Sequence, residues 1–265
     1  MRIATWNVNS LRARQSHVVD YLATRQPDVL ALQELKMDHA LFPMAAFHNV
    51  GYRSVWNGQK QSNGVAILSR SNPEDGQIGA PQFGDDPQSR VVAATYDGLR
   101  VVCAYCVNGE GADSPKFAYK LDWYRRFADY VGEQSLRYPY LAVMGDFNIA
   151  PGDVDLTEPT DYWRRNILST DAERAIFQGL LDLGLRDAMR ELHPDRRMAS
   201  WFDYRSQAFE KRRGLRIDHI LVSEKLRPLF KSGGVSLSMR AKERPSDHAP
   251  VWLSSAEPGE SAAWD

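Results

Sequence analysis

Cysteine is almost absent from this chain of 265 residues; only Cys103 and Cys106 occur, within "VVCAYCVN". A disulfide framework is therefore excluded. The Cys-x-x-Cys spacing raises a redox or zinc pair, but no second Cys/His pair stands at a suitable distance. Positions three apart on a strand also point to opposite faces, so two reduced, buried thiols are expected. No apolar run approaches the roughly 20 residues that span a bilayer, and no membrane partner is expected. The opening "MRIATWNVNS" lacks the apolar core and cleavage site of a secretory signal, which makes the cytoplasm the expected compartment. Net charge is nearly absent too: 33 Lys and Arg against 34 Asp and Glu leave −1. Global charge therefore points to no polyanion. There is no low-complexity linker. The expected organisation is a single domain over 1–254, followed by a flexible acidic tail over 255–265, "SAEPGESAAWD".

What is present is an alternation of short apolar runs with helical patterns. Runs rich in β-branched and aromatic residues, bounded by turn residues, predict strands. They cover Arg2–Asn7, Val29–Glu34, Gly64–Ser69, Arg90–Tyr96, Arg100–Val107, Leu141–Asp146, Arg216–Ser223, Val235–Met239 and Ala249–Ser254. Several are apolar at consecutive positions, as in strands covered on both faces. Between them, Ser10 is placed to cap a helix through about Arg25. Ser114-Pro115 is a cap followed by proline at the first helical position. Thr170-x-x-Glu173 is a capping-box pattern, and Gly184 ends that element. The class is α/β. Nine strands or more exceed what a compact open sheet of this size holds comfortably, so two packed mixed sheets flanked by helices are expected.

Polar residues sit at the ends of these apolar strands: Asn7, Glu34, Asp146, Asn148, Asp218, Asp247 and His248. An ionised carboxylate there is costly unless it is paired or metal-bound. Alone, each reads as a sheet-edge carboxylate bonded to a loop or an arginine. Together, the oxygen donors suit a hard cation, Mg²⁺ with Mn²⁺ as a substitute. His248 stands beside Asp247 in a proline-bounded turn, "RPSDHAP", and a second carboxylate could fix its tautomer. The competing histidine, His219, follows Asp218 on one strand, so the two face opposite ways. Positive charge is local. Arg205, Lys211, Arg212, Arg213 and Arg216 crowd into "YRSQAFEKRRGLR", Arg164 and Arg165 into "YWRRN", and Arg12 and Arg14 into "LRAR". Any one cluster reads as a solvated face unless it borders a site.

In "WNVNSLRAR", "PDVLALQELK", "NGVAILSR", "GDFNIAP", "WFDYR", "GLRIDHILVS" and "PSDHAP", running in order from residue 6 to residue 250, the chain resembles the exonuclease III family of DNA repair nucleases. That family lies within the wider endonuclease/exonuclease/phosphatase superfamily that includes DNase I. The resemblance implies a DNase I-like four-layered α/β sandwich. It implies Glu34 as principal Mg²⁺ ligand, with Asn7 and Asp247 in or beside the metal shell. Asp146 would deprotonate or orient the attacking water, and Asn148 would hold Asp146; both also count among the expected metal-site residues. His248 would contact the phosphate, oriented by Asp218, with Tyr105 near the scissile bond. Trp201, Leu215 and Ile217 would form the apolar pocket for an abasic deoxyribose. The basic run from Arg205 to Arg216 joins Trp201 to Asp218, so it is expected to hold the DNA backbone, fixing register without reading sequence.

The implied activity is Mg²⁺-dependent hydrolysis at 3′ ends (exonuclease, phosphatase or phosphodiesterase), and 5′ to abasic sites, leaving a 3′-hydroxyl. The expected partner is double-stranded DNA with abasic sites or 3′ ends, met by a monomer. Two other readings stand beside it: a relative acting on RNA or phospholipid, and a catalytically silent DNA-binding module. In this family the loop at "RRNILST" lies over the groove, and several members carry a small residue where this chain has Leu168. A bulky side chain there is expected to narrow access for an internal abasic site and to affect recessed or blocked 3′ ends less, so that 3′-end processing is at least as strong as abasic-site incision.

Overall fold

In a computed structural model, which describes residues 1–158 and 161–257, the described residues form twelve strands. They are β1 (Arg2–Asn7), β2 (Val29–Gln33), β3 (Arg53–Asn57), β4 (Val65–Ser69), β5 (Asp75–Ile78), β6 (Val91–Tyr96), β7 (Leu99–Tyr105), β8 (Leu141–Asp146), β9 (Leu185–Asp187), β10 (Asp218–Ser223), β11 (Ser232–Val235) and β12 (Val251–Ser254). The helices are α1 (Leu11–Arg25), α2 (Met44–His48), α3 (Pro115–Arg137), α4 (Asp161–Asn166), α5 (Asp171–Leu181), α6 (Ala188–Leu192) and α7 (Leu237–Arg240). The strands make two six-stranded sheets, ordered β11-β12-β1-β2-β4-β3 and β5-β6-β7-β8-β10-β9. Each sheet holds one parallel pair, β1 with β2 and β7 with β8, among antiparallel neighbours. Each parallel pair is bridged by its crossover helix, α1 or α3, as parallel strands require.

Burial shows four layers. The central core joins the facing sides of both sheets: Ile3, Ala31, Ile67 and Val251 from one, Val101, Cys103, Met144 and Ile220 from the other. Behind the first sheet, Trp6, Leu30 and Leu32 pack on Leu11, Val18 and Leu22 of α1. Behind the second, Val102, Val143 and Leu221 pack on Phe127 and Val131 of α3 and Phe177 and Leu180 of α5. Both cysteines are buried and free, Cys103 in the central core and Cys106 in the outer one. The alternation rule anticipates this opposition. The C-terminal ends of the parallel strands meet at one rim, where open α/β sheets form their crevices.

Ser114 caps α3, its hydroxyl accepting from Lys116 N at 3.2 Å, and Thr170 and Glu173 form the full capping box of α5. Ser10 does not cap α1 with its side chain. It lies at φ 88°, and its N–H donates to Glu34 O at 2.8 Å, tying the start of α1 to the end of β2. The strand expected at Val235–Met239 is also displaced. β11 lies earlier, at Ser232–Val235, and Leu237–Arg240 is helical. Its two glycines hid it, since they carry no β signal. They fit because a Cβ on Gly233 would stand 2.8 Å from Leu253 Cδ2, and one on Gly234 2.9 Å from Trp252 Cζ2. The short strands β3, β5 and β9 are not evident in the sequence pattern. Of the expected tail, residues 258–265 lie outside the described residues. Ser255 still belongs to the sheet edge, donating its N–H to Met1 O at 2.9 Å.

Candidate active site

Strand ends from both sheets build the site. Asn7 closes β1, Glu34 follows β2, Tyr105 closes β7 and Asp146 closes β8, while Asp218 opens β10 directly opposite Asp146 in register. Gly145 makes this arrangement possible. A Cβ there would stand 1.9 Å from Ala104 O, so only glycine lets β8 run this close to β7 just before Asp146. The turn at residues 246–248 is fixed onto β1. Ser246 Oγ donates to Asn7 O at 2.7 Å and accepts from His248 N at 3.2 Å, and Trp6 Nε1 donates to His248 O at 3.0 Å.

Asn7 is the hub of the carboxylates. Its Nδ2 donates to Glu34 Oε1 at 2.8 Å and to Asp146 Oδ2 at 2.9 Å. Glu34 sits in the left-handed region at φ 53°, an unfavourable conformation for this residue. Lys36 Nζ holds its other oxygen at 2.8 Å and also reaches Asn9 Oδ1 at 2.6 Å. Burial alone would raise the Glu34 carboxyl, but the Asn7 hydrogen bond and the Lys36 ammonium bring it below its ordinary value. Burial raises the Asp146 carboxyl, reinforced by Asp218 and opposed by His248.

His248 is buried between two carboxylates. Its Nδ1 lies 2.8 Å from Asp218 Oδ2, and its Nε2 lies 3.7 Å from Asp146 Oδ2. Burial would lower its pKa, but Asp218 and Asp146 outweigh that and raise it. Ser200 Oγ adds a second bond to Asp218 Oδ2 at 2.6 Å. Tyr105 stands against Glu34, with Arg90 over its ring at 4.8 Å; burial and then the charges of Glu34 and Asp146 raise its hydroxyl well above normal.

Asn148 lies at φ 50°, a conformation asparagine tolerates. It meets Asp146 through its backbone, N–H to Oδ1 at 2.9 Å. Its side chain turns away, donating to Cys106 O at 3.0 Å and accepting from Asn108 Nδ2 at 2.9 Å. Among the described residues, one group of His, Cys, Asp and Glu brings ligand atoms within 4.8 Å of one another: Glu34, Asp146 and His248. Asp247 lies outside it, its carboxylate accepting from Asn9 Nδ2 at 3.0 Å and Trp201 Nε1 at 3.1 Å. His219 is on the far side of the second sheet, bonded to Ile149 O at 2.8 Å beside Phe147 and Phe177.

The apolar residues are covered. Leu215 and Ile217 pack with Leu168, Leu156, Ile167 and Phe117, and Trp201 leans on the same cluster. Leu168, at φ 68°, is buried within it rather than standing free over a groove. On the Trp163, Trp201 and Leu215 side of that cluster a cleft of about 360 Å³ stays open, bordered also by Arg205 and Arg213. A larger cavity of about 830 Å³, between α6, α7 and β11, contains none of the site carboxylates.

Of the basic run, Arg205, Lys211, Arg212 and Arg213 are exposed. Arg216 is not: fully buried, it donates to Asp155 Oδ1 at 2.7 Å and to Asp187 at 3.1 and 2.7 Å. It holds three chain segments together and cannot reach a phosphate. Lys36, Ser200 and Asn108 escape the strand-end reading, and Asn9, at the end of "WNVN", enters it without a role. Asn9 and Lys36 carry one usable signal, since they follow Asn7 and Glu34 by two residues; Ser200 and Asn108 carry none.

Over residues 4–248 the chain matches the endonuclease/exonuclease/phosphatase family. It is 38% identical to exodeoxyribonuclease III of Haemophilus influenzae across 263 residues, covering 95% of this chain and 98% of that protein. The fold superposes with a TM-score of 0.93 on the 3′ phosphatase NExo from Neisseria, solved bound to a product DNA hairpin. That match has 50% identity and covers 96% of this chain and 98% of the other. An AP endonuclease from Archaeoglobus fulgidus gives a TM-score of 0.90 at 35% identity, covering 96% and 98%. Among the described residues no helix is long and apolar enough to cross a membrane. With two packed sheets, a rim of carboxylates around a buried histidine and these likenesses over nearly its full length, the chain belongs to the endonuclease/exonuclease/phosphatase family, as a nuclease of the exodeoxyribonuclease III type.

Proposed function

We propose that this protein is a Mg²⁺-dependent DNA repair phosphodiesterase that acts chiefly at 3′ ends, removing terminal nucleotides or 3′-phosphates, with incision 5′ to abasic sites as a lesser activity. The observation that carries this reading is the Asp218–His248 pair facing Asp146 at 3.7 Å, beside Glu34 and Asn7.

Asp146 is the group that receives or directs the proton of the attacking water. His248, held by Asp218 and raised in pKa by the surrounding carboxylates, donates to a phosphoryl oxygen as negative charge develops. Asn148 keeps Asp146 in place through its N–H, and Tyr105 lines the same edge. For a phosphodiester the products are a 3′-hydroxyl and a 5′-phosphate; for a 3′-phosphate they are a 3′-hydroxyl and inorganic phosphate.

Glu34, Asp146 and Asn7 would hold the cation, with Asp247 beside them. The donor set fits: a half-buried and a buried carboxylate share one amide, and a divalent ion would offset the charge they concentrate. The Asn7 amide, whose Oδ1 accepts from Asn9 N at 2.9 Å, would have to give up that bond and turn about its last torsion to present oxygen in place of nitrogen. When bound, the cation would neutralise phosphoryl charge and stabilise the leaving oxygen. Exposed Arg205, Lys211, Arg212 and Arg213 would take backbone phosphates. Both halves of the site come from one chain, which supports action as a monomer.

The 3′-end preference rests on Leu168, which fills the space next to Leu215 and Ile217. The test is a lesion panel with Mg²⁺, Mn²⁺ and chelator, comparing 3′-phosphate release with incision of an internal abasic duplex. A large preference for the internal site would sink the 3′-end reading. Asp146→Asn should abolish cleavage while DNA binding persists; unchanged cleavage would overturn the site.

A further inference from the structure

Outside the catalytic cluster, α3 and the first turn of α5 bury a full ion pair. Lys120 and Glu173 are both at 0% exposure. Such a pair is costly to desolvate unless its remaining donors and acceptors are used. The helices do not need it, because Phe127, Val131, Phe177 and Leu180 already pack them. Its hydrogen bonds go instead to two loops. Lys120 Nζ donates to Glu173 Oε1 and to the backbone O of Asn148 at 2.8 Å. Glu173 Oε1 also accepts from Leu168 N at 3.0 Å, and Oε2 accepts from Thr170 N at 2.9 Å. A second link runs between the same loops, Ala150 N to Leu168 O at 2.6 Å.

At the other end, Asn148 is held on every side. Its N–H goes to Asp146, its amide lies between Asn108 and Cys106 O, and its carbonyl takes Lys120. We propose that Lys120 and Glu173 are positioning residues, a buried strut that fixes Asn148 relative to the Leu168 loop. The Leu168 loop, packed on Leu215 and Ile217, and the loop that follows the water-directing carboxylate then keep one relative position. This rests on the role given to Asn148 above.

The test is a double-mutant cycle on 3′-phosphate release. Lys120→Met should lower kcat about 10- to 100-fold through misplacement, with KM within about twofold. On a Glu173→Gln background the same change should cost less than about twofold, because the charged strut is already broken. Equal losses on both backgrounds, or no loss in the folded single variant, overturn the strut. If Lys120→Met does not fold, Glu173→Gln, which keeps the side-chain volume, is read alone: kcat should fall at least about threefold with KM unchanged, and a folded variant with parent kcat overturns the strut. Failure of the underlying site looks different: Asp146→Asn would then cleave as the parent does.

Discussion

His248 Nδ1 lies 2.8 Å from Asp218 Oδ2, although 30 residues separate them and Asp247 is adjacent in sequence. The neighbour cannot serve, because its carboxylate is held by Asn9 and Trp201. The Asp218 bond fixes which ring nitrogen faces Asp146, and its charge favours the imidazolium. Asp218→Asn keeps the shape and removes the charge. It should lower kcat by roughly 10²–10⁴, with little change in KM, as loss of an orienting carboxylate does elsewhere. Steady-state 3′-phosphate release measures this, and a loss smaller than about threefold would remove Asp218 from the site.

Arg216 and Arg212 stand four residues apart and should behave oppositely. Arg216→Met leaves Asp155 and Asp187 without their buried partner and should destabilise the fold by about 3–5 kcal/mol. Arg212→Ala should leave stability within about 0.5 kcal/mol. It should also reduce the slope of log affinity for DNA against log salt by about 1. Denaturant unfolding and a salt titration of binding decide the matter. An Arg216 variant of normal stability and a shallower salt slope would place that residue on DNA after all.

Leu168→Gly bears on substrate choice and on stability together. Glycine relieves the positive φ but empties a buried site, so a net loss of about 1–3 kcal/mol is expected. At temperatures where the variant stays folded, incision of an internal abasic duplex should rise relative to 3′-phosphate release. A ratio that does not move would show that Leu168 does not restrict access.

His219 gives the fold a pH dependence separate from the chemistry. Burial first, then the Arg216 guanidinium, lowers its pKa from 6.5 to about 4. Below about pH 6.5 the unfolded chain takes up a proton that the folded chain refuses. Stability from this group is therefore complete above about pH 6.5 and lost as pH falls toward about 4, by on the order of 2–3 kcal/mol. Denaturant unfolding between pH 7 and 4 in chelator should show this segment in the parent and not in His219→Gln. The same slope in both would assign it to other groups.

Much of this molecule is legible in its sequence. Apolar runs closed by polar residues located the strands of both parallel pairs, and the polar closures are the site residues themselves. A side chain ending an apolar run must sit at a sheet rim, so local pattern carries that information. The caps at Ser114 and Thr170 were legible for the same reason, since their bonds span three residues or fewer.

Tertiary structure decided the rest. Arg216 looks like its exposed neighbours until Asp155 and Asp187, 61 and 29 residues away, take it inside. Leu168 reads as a loop residue until Leu215 and Ile217 close over it. Lys120 shows no mark of its partner Glu173, which lies on another helix. Periodicity reports which face of an element is apolar. Whether a charge or a loop side chain is buried depends on distant groups that can hydrogen-bond or pack against it, and only the folded chain brings those groups together.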